Sequence, residues 1–325
     1  MIPDREYVFA SSFIKASDAK GTPGERLARF REASDTASLR SAVSDMYSVS
    51  GDNVYDEVLC RVKNILSEAL PDFSVMTPLF IKYDCTNIKI AIKCKLRGVS
   101  PEGLLFRCGT LDTNTILSAV ESSDFKTLPP ELGKAADEAL TVYRKTGEVR
   151  AIDLTLDRAC FEYMKKAADD GGCELIRNIV TVRADCTNLI TAMRISAEEM
   201  APDIAFSLFE RAFVSGGVLN VSDFGSSENG LKSPSDIAVY ANGVSAEAVK
   251  SAAKAAGPDE ANRECDEAVL RMCDKFRYKS FGPEVAVRLL LIREAEMTNC
   301  RILEAAMGSE ETKEKATERL RAAYV

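Results

Sequence analysis

The chain has 325 residues, 46% of them hydrophobic, with ten cysteines, no histidine and a formal net charge of -8. That length allows two or three domains with substantial cores, and the acidic balance argues against general nucleic-acid binding, which needs a basic face. Without histidine, Ser-His and Cys-His nucleophilic catalysis are excluded, as is every zinc site that needs imidazole.

From the N-terminus onward, Asp4 and Glu6 stand where a secretory signal would need a basic region, and no later segment approaches an uncharged apolar span of about 18 residues. A cytosolic chain with reduced, small, often buried cysteines is expected. No cysteine pair has CxxC spacing, and Gly133-Lys134 lacks the earlier glycine of a phosphate-cradling loop. No catalytic residue, cofactor or metal ion is expected.

Helical signals dominate the rest. In the first third, Phe80, Asp84, Asn87, Ala91 and Cys94 recur in helical steps and share one face. The basic run Lys89, Lys93, Lys95 and Arg97 reads as a solvated helix face, with an acidic partner as the functional alternative. Gly98 to Gly103 reads as a loop, and Pro129-Pro130 opens a helix running through Glu131 to Arg144. Val149 to Met164 fits an amphipathic helix better than a strand. A second periodic face follows at Thr181, Asp185, Asn188, Ala192 and Ile195. The stretch from Ser215 to Asp236 is rich in Gly, Ser, Asn and Pro and favours turns, with helices resuming at Pro234 and Pro258. The clearest helix begins at Gly282-Pro283, stops at Gly308, and puts Val285, Leu289, Ile292, Glu296, Asn299, Leu303 and Ala306 on one face.

One string recurs. Asp84 to Asn87 and Asp185 to Asn188 both read DCTN, 101 positions apart, and Glu296 to Asn299 reads EMTN a further 111 positions on. Each places an acid and an amide one turn apart on an apolar helix face. A carboxylate and an amide taken from water without partners cost several kcal/mol, so their repeated presence predicts satisfied, structural groups. Paired catalytic carboxylates would have to converge on one cleft, whereas these belong to equivalent places in separate units. The spacing predicts an all-α protein of three equivalent helical domains at residues 1–115, 116–225 and 226–325.

The sequence resembles, from end to end, the C subunit of the archaeal and bacterial V-type ATPases, equivalent to the d subunit of the eukaryotic vacuolar enzymes. The segments that carry the resemblance are REYVFASSFIKA, DCTNIKIAIK, AIDLTLDRACFEYMKKA with IVTVRADCTNLITAMR, FVSGGVLNVSDF, FGPEVAVRLLLIREAEMTNCRILEAAMG and ERLRAAYV. Gly216 and Gly217 stand where that family has its glycine turn, while Cys85, Cys186 and Cys300 depart from its usual residues. The resemblance implies a funnel-shaped, all-helical molecule of three domains around a pseudo-threefold axis. It implies a non-catalytic rotor coupling between the central axle and the membrane rotor ring, peripheral on the cytoplasmic side, with no nucleic acid and no small-molecule substrate. Lys89, Lys93, Lys95, Arg97, Gly216 and Gly217 are the candidate partner contacts. A helical adaptor with unrelated partners is the alternative, and a thiol-dependent enzyme another. The latter needs a cation or a helix N-terminus to activate a thiolate, and no cysteine reads as standing at a helix start.

Overall fold

Prolines open six of the helices, at Pro23, Pro130, Pro202, Pro234, Pro258 and Pro283, where the missing N–H is no loss because a first-turn amide has no intrahelical partner. The computed structural model describes residues 2–17, 21–308, 313–322 and 324. In chain order its helices are α1 (Val8–Ser17), α2 (Pro23–Glu32), α3 (Thr36–Tyr47), α4 (Val54–Ala69), α5 (Thr77–Arg97), α6 (Thr113–Ser122), α7 (Pro130–Thr146) and α8 (Val149–Gly171). They continue with α9 (Glu174–Ser196), α10 (Pro202–Ala212), α11 (Val221–Phe224), α12 (Pro234–Ala238), α13 (Ala246–Ala252), α14 (Pro258–Asp274), α15 (Pro283–Met307) and α16 (Lys313–Glu318). The fold is all-α, and among the described residues no helix is long and apolar enough to cross a membrane.

The chain forms two compact units. The first comprises residues 1–76 and 266–325, and the second residues 77–265. In the first, α15 is the central element. Its buried residues run Val285 to Val287, Leu289 to Arg293 and Ala295 to Met297, which covers every side of the helix and not a single stripe. A helix apolar all round needs neighbours all round, and α1, α2, α3, α4 and α16 pack against it. Capping boxes at Thr22 with Glu25 and at Asp35 with Ser38 start α2 and α3 by satisfying first-turn amides.

In the second unit α5, α8 and α9 are the long helices. Leu79, Phe80, Ile88, Ile152, Leu156, Ile179 and Leu189 are wholly enclosed. Helices α5 and α8 run antiparallel, since Lys89 pairs with Asp157 and, one turn further along α5, Lys93 Nζ reaches Asp153 Oδ1 one turn back along α8 at 2.6 Å. Helix α8 also forms a hairpin with α7 through Gly147-Glu148. The Gly- and Ser-rich stretch contains a two-stranded ribbon that the sequence pattern does not announce. Its strands β1 (Gly225–Ser226) and β2 (Gly230–Leu231) pair antiparallel. Two residues per strand are too few for an alternating pattern to show.

Candidate functional site: the acid–amide helix motifs

Asp84, Asn87, Asp185, Asn188, Glu296 and Asn299 all have zero exposure, and each amide does the same thing. Asn87 Nδ2 donates to the Phe106 carbonyl at 2.7 Å while the Phe106 N–H donates to Asn87 Oδ1 at 2.8 Å. Asn188 holds the carbonyl and N–H of Val214 at 2.9 Å each. Asn299 holds those of Arg321 at 2.7 and 2.8 Å. Only a primary amide offers a donor and an acceptor side by side, so it can replace a missing rung of backbone pairing for one residue of an irregular segment.

The acid one turn earlier completes the grip in the second unit. Asp84 accepts from the N–H groups of Thr110 and Leu111 at 3.0 Å each, and also from the Thr110 hydroxyl. Asp185 accepts from the N–H groups of Val218 and Leu219 at 2.9 and 3.0 Å. A carboxylate is the group that can take two adjacent amides at once. The later helix residue binds the earlier loop residue, so both loops run antiparallel to the helix that holds them. They then feed directly into N-caps, Asp112 for α6 and Asn220 for α11.

This close approach explains the glycines. A Cβ at Gly217 would lie 2.0 Å from Asp185 Oδ1, and one at Gly109 would lie 2.2 Å from Asp84 Oδ1. Gly217 therefore lies against a buried carboxylate. Gly216, its neighbour at φ +102°, lies against the Lys165 side chain. Sequence reasoning singled out only the second copy of this turn. The first was legible in GTLD at Gly109 to Asp112, which matches GVLN at Gly217 to Asn220, with Phe106 and Val214 each three positions before the glycine.

The third motif, in the first unit, differs at the acid. Glu296 Oε1 accepts from Arg26 Nε at 2.7 Å, and Oε2 accepts from Arg293 Nη1 at 2.5 Å and from the Tyr47 hydroxyl at 2.7 Å. Arg26 and Arg293 are themselves buried. Nothing in the sequence pattern marked Arg26 or Tyr47, which lie 270 and 249 positions from Glu296. Burial, and then the neighbouring carboxylate, push the Tyr47 hydroxyl far above the usual tyrosine range. Burial likewise pushes up the Asp185 carboxyl, against the pull of the groups it faces, including the amides of Val218 and Leu219. Tyr324 completes the group, its hydroxyl 3.1 Å from Asn299 Nδ2.

The basic run is used within its own unit. Lys89 and Lys93 pair with Asp157 and Asp153, and Lys95 Nζ donates to the carbonyls of Val120 and Glu121 at 2.8 Å each, at the C-terminal end of α6, where a cation is favoured. Arg97 is exposed at the end of α5. None of the ten cysteines is in a disulfide, and nine are buried. One of them corrects the expectation from the sequence, since Cys173 is the N-cap residue of α9 and so stands at a helix start. It is 6% exposed and its side chain makes no capping bond.

The chain matches the family model for the ATP synthase (C/AC39) subunit over residues 50–307. It is also similar to the C subunit of the V-type ATP synthase from two strains of Thermus thermophilus, at 27% identity over 132 residues in each case. That similarity covers 39% of this chain, which spans about two fifths (41%) of the length of the curated relatives it matches. The family match takes in all three acid–amide motifs and both glycine turns, and with most of its length so covered the chain belongs to the V-type ATP synthase C/AC39 subunit family.

Proposed function

We propose that this chain is a non-catalytic central-stalk subunit of a V-type ATPase or ATP synthase, an accessory part that couples the central axle to the membrane rotor ring. The observation that carries the reading is the family match over residues 50–307. The physical support is stiffness. Torque transfer needs elements that do not yield, and the long helices α5, α9 and α15 are each bound to a later segment by the hydrogen bonds of a fully enclosed asparagine, which leave little freedom to slide. The reading places the chain on the cytoplasmic side of the membrane, peripheral to it, with axle subunits and ring as partners and ATP-linked proton or sodium transport as the process served.

The same reading takes residues 1–115, 116–225 and 226–325 as three equivalent repeats. The matching loops held by Asp84–Asn87 and Asp185–Asn188, and the matching amide of Asn299, support it. A structure of the assembled complex tests both ideas. The expected result is this chain between axle and ring with the three motifs related by rotation. Purification of the native complex without this chain, or ATP turnover by the isolated chain, would overturn the coupling.

A further inference from the structure

Residues 275–281 read KFRYKSF, three cations and three aromatics without an acid, in a chain of net charge -8. The run links α14 to α15 in the first unit. Its Lys279 is committed internally, with Nζ 2.8 Å from Glu284 Oε2 and 3.2 Å from Asp4 Oδ2, and its carbonyl accepts from Lys15 Nζ at 3.5 Å. The bonds to Asp4, just before α1, and to Lys15, on it, lay the run along that helix. Lys275 and Arg277 remain exposed. Tyr278 is 89% exposed and Phe281 44%, and on α1 Phe9 is 67% exposed and Phe13 37%. The Phe9 and Phe13 rings stack on each other at 5.8 Å and not into the core. Ala10, Ser11 and Ile14 form the buried face of α1, so these rings lie on its outer side.

Several large apolar side chains exposed together mark a surface that something covers. We propose that Lys275, Arg277, Tyr278 and Phe281, with Phe9 and Phe13, form a contact surface for an anionic phospholipid leaflet. The cations are drawn to the negative surface potential, and rings with an apolar body sit at the headgroup boundary. An acidic protein surface would satisfy the cations and leave the rings against polar groups, whereas a leaflet satisfies both. The inference goes beyond the coupling reading and does not depend on it.

The chain contains no tryptophan, so Tyr278→Trp installs a single fluorescent reporter. The full chain carrying it should sediment with phosphatidylserine–phosphatidylcholine vesicles and shift its emission to the blue, and should do neither with phosphatidylcholine alone. Lys275→Ala with Arg277→Ala should lower the partition coefficient by about tenfold or more, each cation near an anionic surface accounting for roughly fivefold. Lys250→Ala, an exposed cation of the second unit, should change nothing. All these side chains are exposed, and circular dichroism checks that each variant is folded. Failure to bind the anionic vesicles overturns the proposal, as does binding that ignores the double change or falls equally with Lys250→Ala. Capture by polyglutamate without vesicle binding would assign the patch to an acidic protein instead.

Discussion

Asp185 on α9 and Glu296 on α15 stand at the same place relative to their asparagines, one turn earlier on a long buried helix, yet the two acids are neutralised by different means. Asp185 meets neutral donors, the main-chain N–H groups of Val218 and Leu219, with the Ser245 side chain also against it. Glu296 meets two guanidinium groups and a phenol, from α2, α15 and α3. The extra methylene of glutamate lets its carboxylate reach past its own helix to neighbouring ones. One site therefore pins a loop to a helix, and the other fastens helices to each other. The difference teaches that a repeated motif need not carry a repeated energy. Removing the acid leaves unsatisfied amides in one case and buried unpaired charge in the other.

The largest expected effect follows from that asymmetry. Glu296→Gln should destabilise the protein by about 3 to 5 kcal/mol in urea titration, because a buried pair loses one partner. Replacing the set together, Glu296→Leu with Arg26→Met and Arg293→Met, should recover most of the loss. If Asp185→Asn costs as much as Glu296→Gln, the contrast between the two acids is wrong.

The glycine turns test the loop-pinning half. Gly217→Ala and Gly109→Ala should each cost about 1 to 3 kcal/mol by forcing the loop off the carboxylate. In an Asp185→Ala background the Gly217→Ala change should cost much less, a non-additivity expected only of groups in contact. Asn87→Leu, Asn188→Leu and Asn299→Leu should each cost about 1 to 3 kcal/mol for the backbone pair left unsatisfied. Here the three motifs should agree where the acids do not, and a thermal melt of Asn299→Leu matching wild type would break the equivalence.

Acidity gives a subtler contrast. The folded-state value of Asp185 lies above its ordinary value of 3.8 because burial disfavours the charged form. The folded state thus holds this proton to higher pH than the unfolded chain. The associated stability is fully present below about 3.8 and is lost as pH rises through the raised value. Measured across that window, wild type should lose stability relative to Asp185→Asn as pH increases. A constant difference between the two would show that Asp185 titrates normally. Lys93→Ala should have the smallest effect, within about 1 kcal/mol, because its pair with Asp153 is partly exposed to solvent.

Much of this was legible in the chain. Proline and glycine marked Pro130, Pro234, Pro258 and the full span of α15, because their backbone constraints act locally. The acid and amide announced burial, because helical spacing placed them among apolar residues. The first glycine turn was present in GTLD and passed over, since four residues with no periodicity mean little until the second copy is set beside them. The short ribbon at Gly225 to Leu231 escaped for the same reason.

By itself the sequence determined the helical class, the helix starts at Pro130, Pro234, Pro258 and Pro283, and the three places where polar groups would be buried, all consequences of local backbone chemistry and periodicity. Only the tertiary structure decided what those groups hold. The loop residues Phe106 and Val214 come to Asn87 and Asn188 by the route the chain takes between helices. Arg26 and Tyr47 reach Glu296 because α2 and α3 fold back onto a helix more than two hundred residues away. Partner choice across such distances depends on which apolar faces pack together, and packing is a property of the whole unit that no short string of residues encodes.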